Sequence, residues 1–215
     1  MKTALIAGAS GLIGKSLLDR LLATGRYNKV VAVSRRDLAF RHPKFSYIIA
    51  DFSDPAKALR SLKPDDVYCC LGTTMAIAGS KEKFYEVDFQ YPVALANATL
   101  ALGANQYLLV SALGSNKSSA IYYNRVKGDV EEAILSVGFR SVHIFRPSLL
   151  LGERQVKRPG EGFAKVLYKI FGFAIPGKYK AIPADKVAKA MLAAAAKEEP
   201  GIFIHESREI QKISS

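Results

Sequence analysis

The sequence predicts an α/β fold, a doubly wound parallel sheet in a single domain over residues 1–215, on three observations. A glycine-rich turn, Gly8-Ala-Ser-Gly11-Leu-Ile-Gly14, stands between an apolar run and an amphipathic helical repeat. Strand-like and helix-like stretches then alternate through six strands, with no internal repeat or low-complexity tract between them. A chain of 215 residues, 49% hydrophobic and 23% charged, suits one buried core and leaves two domains cramped.

The first strand is the apolar run Ala4 to Ala7, and Leu12, Ile13, Leu17, Leu18, Leu21 and Leu22 recur after it with helical period. The turn between them is suited to a phosphate. Glycine permits positive φ and lets an anion approach without a Cβ in the way, while the free N–H groups of Ser10, Gly11, Leu12 and Ile13 lie at the positive end of the helix dipole. Gly14, one turn inside, would let helix and strand pack closely.

Gly25 ends the helix, and Lys29 to Val33 reads as the second strand, followed by Ser34-Arg35-Arg36. An acid at this place would accept the 2′-hydroxyl of NAD; two arginines favour a 2′-phosphate, with charge-assisted contacts of about 1.5–3 kcal/mol each. NADP(H) is therefore expected over NAD(H). Phe45 to Ala50 reads as the third strand, with Asp51 and Phe52 at its end near the adenine; Asp51 either accepts from the exocyclic amine or begins the turn that Asp54-Pro55 completes into a short helix through Leu62. Asp66 to Gly72 reads as the fourth strand, and Leu71, Gly72 and Thr73 at its carboxyl end are cofactor candidates. A long helix is expected over Lys81 to Leu102, kinked or restarted near Pro92. Gln106 to Ser111 and Val142 to Pro147 read as strands five and six, separated by a helix from Tyr122 to Val137.

Three residues form a candidate proton-handling set: Ser111 at a strand end, and Tyr123 and Lys127 four apart on one helical face. The ammonium can sit beside the phenol, and Ser111 opposite would hold a substrate carbonyl. Tyr122 lacks the four-residue spacing to Lys127.

With these residues the chain resembles the short-chain dehydrogenase/reductase superfamily, its compact atypical branch in particular. The turn Gly8-x-x-Gly11-x-x-Gly14, the set Ser111/Tyr123/Lys127 and Arg146-Pro147 stand where that superfamily has them. The runs Cys69-Cys-Leu-Gly-Thr-Thr74, Lys117-Ser-Ser119, Tyr123-Asn-Arg-Val-Lys-Gly128 and Arg158-Pro-Gly-Glu161 are similar to those of the Tat-interacting-protein-type oxidoreductases. The resemblance covers nearly the whole chain. It implies NADP(H) on a Rossmann fold, with Ser111, Tyr123 and Lys127 as the catalytic triad, Tyr123 and Lys127 also touching the cofactor, and Pro147 beside the nicotinamide. The superfamily's catalytic asparagine has no visible counterpart, and Asp88 stands close to its place. The group is known more for regulatory proteins than for one reaction, so a catalytically silent NADPH-binding scaffold is the alternative to an enzyme acting on a small carbonyl or alcohol.

Residues 148–183, rich in glycine and proline, are expected to form a small substrate cap, with a helix carrying Phe163, Val166, Leu167, Ile170 and Phe171 inside it. Ala184 to Lys197 reads as a helix, Gly201 to His205 as a last short strand, and Glu206 to Ser215 as a polar end. Cys69 and Cys70 read as two buried thiols on opposite faces of a strand, and His42, His143 and His205 lack partners at ligand spacing, so no metal is expected. No run spans a bilayer and no leader precedes the first strand, from which a cytoplasmic protein is expected. Lys and Arg number 31 against 19 Asp and Glu, a net charge of +12, yet they are scattered without a basic tail, so no nucleic-acid module is indicated. An anionic cofactor, an acidic substrate, an acidic partner and a solvated basic surface all remain open as its explanation, as does a homodimer.

Overall fold

A computed structural model describes residues 2–151 and 180–213. Seven strands form one parallel sheet: β1 (Lys2–Ala7), β2 (Tyr27–Ser34), β3 (Phe45–Ile49), β4 (Asp66–Cys69), β5 (Gln106–Val110), β6 (Ser141–Arg146) and β9 (Gly201–Glu206), in the spatial order 3-2-1-4-5-6-9. β7 (Leu150–Leu151) and β8 (Ile182–Pro183) pair as a separate two-stranded ribbon. The order reverses between β1 and β4, which places a crevice at the carboxyl ends of those strands, over the glycine turn. The last strand completes the sheet by pairing with β6 from Ser141↔Gly201 to Arg146↔Glu206.

Alternation along the strands builds the two cores. Ala4 and Ile6 of β1 and Leu108 and Val110 of β5 face a layer made of α1 (Leu12–Ala23) and α7 (Ala184–Lys197). Leu5, Ala7, Tyr107 and Leu109 face the opposite layer, α5 (Tyr91–Ala101) and α6 (Tyr122–Val137), with the short α2 (Pro55–Leu59) beside them. Cys69 lies in the second core and Cys70 against the first, as adjacent strand residues must; burial pushes both thiols up. Fully burying a leucine such as Leu17 or Leu95 contributes about 1.5–3 kcal/mol, and both are wholly enclosed.

The expected long helix is divided, and the break falls before Pro92. A short α3 (Met75–Ala78) is followed by α4 (Lys81–Tyr85), then a π-turn over Glu86–Gln90, then α5. Tyr91 N–H donates to Glu86 C=O, an i→i−5 bond. Pro92 has no N–H to give and its ring crowds the carbonyl four residues back, and a π-turn just upstream widens the ladder there. Its effect is to turn Asp88 inward, where it is 1% exposed.

The expected polar end is a helix, α8 (Ser207–Ile213), because Ile210 enters the first core and Ile213 packs against it. The expected cap falls mostly on residues 152–179, as does its helix, and these lie outside the described residues; its two ends form the β7/β8 ribbon.

His143 and His205 come together although no spacing pairs them: His143 Nδ1 lies 3.1 Å from His205 Nε2 across the β6/β9 register, and the rings stack on Phe145 and Phe203. Burial, then the neighbouring His205 and Lys197, holds His143 down at about 4; burial also lowers His205 against the pull of Glu209. The folded state thus resists charging these rings, His143 most of all, and the unfolded chain binds more protons below the ordinary value of 6.5. Stability should be level above about pH 7 and fall as pH drops from 6.5 toward 4. Thermal midpoints between roughly pH 6.5 and 5, above the main carboxylate range, should decline, and His143→Phe should flatten that slope. An unchanged slope in the variant removes the pair as its cause.

Candidate functional site

The glycine turn is a cradle that side chains would fill. Gly8 has φ +84°, and a Cβ there would lie 2.5 Å from Cys70 O; a Cβ on Gly14 would lie 2.0 Å from Gly8 O. Gly11 N–H donates to Gly8 O at 2.9 Å and caps α1 with no side chain, and no acid stands in the first turn. The N–H groups of Leu12, Ile13 and Gly14 therefore open onto the crevice with the helix dipole behind them, while the side chain of Ile13 packs in the core. Ser10 is exposed beside them. This arrangement fits a pyrophosphate.

At the end of β2, Ser34 Oγ accepts from Arg36 N–H at 3.2 Å, and both Arg35 and Arg36 are exposed. Asp51 accepts from Ser53 N–H at 3.0 Å; that bond holds its carboxyl below the usual value, with Arg35 adding to it. Phe52 is buried and stacked on Tyr91 at 5.6 Å, so what it can offer a ligand is backbone. Leu71, Gly72 and Thr73 follow β4 into the crevice. Pro147 is buried, its carbonyl accepting from Leu113 N–H at 2.9 Å.

Tyr123 and Lys127 stand on one face of α6, and the structure extends that face in both directions. Lys127 Nζ lies 2.8 Å from Asp88 Oδ1, with both side chains buried, and Asp88 Oδ2 accepts from Thr73 N–H at 2.8 Å. A Cβ on Gly72 would lie 3.4 Å from Asp88 Oδ1 and 3.7 Å from Lys127 Nζ, so the pair sits directly under the loop that follows β4. Burial works against the Lys127 ammonium, but Asp88, then Tyr123, outweigh it and the pKa is raised. Tyr122 is held elsewhere, donating to Lys81 O at 3.0 Å, while the Tyr123 ring rests on Phe84 at 5.5 Å. Gly128 admits the preceding loop: a Cβ there would lie 2.2 Å from Lys117 N.

Ser111 directly follows β5, but its hydroxyl is engaged. It donates to Glu131 Oε1 and lies 2.9 Å from Ser115 Oγ, which in turn donates to Ala112 O at 2.6 Å. Glu131 is itself clasped by Arg146, whose Nε lies 3.1 and 3.2 Å from its two carboxylate oxygens, and Arg146 also reaches Glu206 at 3.0 Å. A hydroxyl has one proton, so in this arrangement Ser111 has none to offer a carbonyl. Two site residues were thus missed or half-seen in the sequence. Glu131 follows Tyr123 by eight and Lys127 by four, hence on their face, and Asp88 is an acid on an otherwise apolar helical stripe.

Residues 4–122 match the model of the NAD dependent epimerase/dehydratase family. Protein HTATIP2 of Rattus norvegicus is 36% identical over 198 residues, which cover 89% of the chain and 80% of that protein. Protein FMP52, mitochondrial, of Candida glabrata is 35% identical, covering 82% of the chain and 81% of that protein. Among solved structures, MoeE5 in complex with UDP-glucose and NAD superposes with a TM-score of 0.74 at 17% identity, covering 99% of this chain and 80% of that one. A UDP-galactose 4-epimerase gives 0.72 at 15% identity over 94% and 76% of the two chains. These likenesses show the fold. The cytoplasmic expectation is corrected by the relatives: FMP52 proteins from several fungi are named mitochondrial, and a soluble-looking composition carries no information on which aqueous compartment a chain enters.

Proposed function

Because the chain belongs to the NAD dependent epimerase/dehydratase family, we propose that it is an NADP(H)-dependent oxidoreductase acting on a small carbonyl or alcohol. The observation that carries this is the juxtaposition of a side-chain-free phosphate cradle with a buried Lys127–Asp88 pair one turn from Tyr123. Gly8, Ser10, Gly11, Leu12, Ile13 and Gly14 would hold the pyrophosphate, Ser34, Arg35 and Arg36 the 2′-phosphate, Asp51 and the Phe52 backbone the adenine end, and Leu71, Gly72, Thr73 and Pro147 the nicotinamide end. The dinucleotide, when bound, supplies or accepts the hydride.

The chain's own residues handle the proton. Tyr123 Oη would give or take it at the substrate oxygen, and Lys127, kept charged by Asp88, would stand beside it and help hold the nicotinamide ribose. Ser111 orients the carbonyl by exchanging its bond to Glu131 for one to substrate, while Arg146 keeps the Glu131 carboxylate compensated. Residues 148–183 would choose the substrate.

Fluorescence titration with NADPH and NADH side by side tests the reading, followed by turnover across a panel of carbonyls. NADPH should saturate and bind more tightly. Replacing Arg35 and Arg36 by alanine should weaken NADPH about tenfold to a hundredfold per lost contact and leave NADH nearly unchanged. Equal weakening of both nucleotides would show that the arginines do not read the 2′-phosphate, and no saturable binding of either would overturn the proposal.

A further inference from the structure

Asp88 stands where a neutral side chain would serve the local hydrogen bonding. Its Oδ2 accepts from Thr73 N–H at 2.8 Å, a bond that the carbonyl of an asparagine would make as well. What the carboxylate adds is charge, in a place where charge is costly. Asp88 and Lys127 are both buried, and a buried ion pair generally gains little more from attraction than it loses in desolvation. Against a neutral pair of similar volume it is a weak device for stability, and its charge calls for another reason.

The position of the pair supplies one. The π-turn brings Asp88 inward from one side and α6 brings Lys127 from the other, and the two meet at 2.8 Å. A Gly72 Cβ would stand in van der Waals contact with both Asp88 Oδ1 and Lys127 Nζ, so both charges are presented to Leu71, Gly72 and Thr73 at the carboxyl end of β4. Tyr123 on the same helix and the Cys69 thiol on β4 also face the ammonium, and Asp88 is the carboxylate that answers it.

On the nucleotide reading above, residues 71–73 hold the nicotinamide end, and the present inference rests on that reading. The ring of the oxidised dinucleotide carries a positive charge, and the ring of the reduced one carries none. An ammonium by itself beneath Gly72 would repel the first and be nearly indifferent to the second. Several ångströms away, at an effective dielectric near 20, one unit charge acting on another changes affinity about tenfold or more. A carboxylate 2.8 Å from the ammonium cancels most of that field.

We propose that Asp88 is a specificity-determining residue for cofactor redox state: it neutralises Lys127 toward the nicotinamide, so that the site takes up the oxidised dinucleotide as well as the reduced one. Such a site can begin from either form, which suits oxidation of an alcohol as much as reduction of a carbonyl.

Calorimetric titration of the full chain with NADP⁺ and with NADPH near pH 7 tests this through the ratio of the two dissociation constants. Asp88→Asn keeps an acceptor for Thr73 and should weaken NADP⁺ relative to NADPH about tenfold. Lys127→Met should move the ratio the other way by a similar factor, because the carboxylate left behind attracts the cationic ring. Any contact it loses is lost to both forms and cancels. The double variant Asp88→Asn/Lys127→Met should return the ratio to within about threefold of wild type. A merely structural role would weaken the two nucleotides together and leave the ratio where it was. Should Lys127→Met fail to fold, Asp88→Asn compared with the double variant decides. Saturable binding of both forms with a ratio that Asp88→Asn leaves unchanged, or that both single variants move in one direction, overturns the role of Asp88 and leaves the nucleotide reading standing. Absence of saturable binding of either form overturns both.

Discussion

Asp88→Ala should lower the unfolding free energy by about 3–5 kcal/mol, measured by urea denaturation near neutral pH. The size follows from burial. Lys127 is 4% exposed and Asp88 1%, so removing the carboxylate leaves an ammonium with no counter-charge and no route to water. Thr73 N–H loses its acceptor at the same stroke, and a buried donor left unmade costs about 1–3 kcal/mol within that total. A domain of this size has about 5–15 kcal/mol in all, so the variant would be marginal. Asp88→Asn keeps an oxygen for Thr73 and should lose less. Combining Asp88→Ala with Lys127→Met removes the stranded charge and should recover much of the deficit, which a merely local packing defect would not do. A loss below about 1 kcal/mol for Asp88→Ala would falsify the account of this pair.

Tyr123→Phe should reduce turnover about 10²–10⁴-fold on any carbonyl the wild type reduces, with NADPH affinity and stability little changed. The lost oxygen is the one to which the proposed mechanism gives the proton transfer, on the helical face that also carries Lys127. Tyr122→Phe is the control. It removes a hydrogen bond to Lys81 O, which is worth about 1 kcal/mol of stability, and should leave turnover within a few-fold. The contrast matters because the tyrosines are adjacent: their side chains leave the helix about 100° apart, and Lys127 shares a face with Tyr123. Unchanged turnover in folded Tyr123→Phe takes the phenol out of the chemistry. Loss in Tyr122→Phe with retention in Tyr123→Phe would reassign it.

The local parts of the site are readable along the chain because their geometry is set by short spacings. Gly8, Gly11 and Gly14 specify a turn that a Cβ would obstruct, and Tyr123 and Lys127 specify a shared helical face; both statements need only neighbours within a few residues. The strand order is readable too, since parallel strands joined by helices have few right-handed arrangements. Where reading along the chain failed, a long-range contact decided. Ser207–Ile213, expected as a polar end, forms a helix because Ile210 had a core to enter, whereas the break at Glu86–Gln90 was set locally, by Pro92. Compartment lay beyond the sequence reading for a different reason: no property of the folded core differs between one aqueous compartment and another.

The amino-acid sequence by itself determined that this protein is a doubly wound α/β fold with a side-chain-poor glycine turn between its first strand and helix and a tyrosine and lysine on one helical face, because period and glycine placement act locally. Only the tertiary structure decided what those groups touch. It gave Lys127 the Asp88 carboxylate from 39 residues upstream, engaged Ser111 with Glu131 and Glu131 with Arg146, and brought His143 against His205. Partners such as these are chosen when distant segments close over one another and each buried charge or hydroxyl must be matched by whatever the packing brings within reach, a constraint that no spacing along the chain encodes.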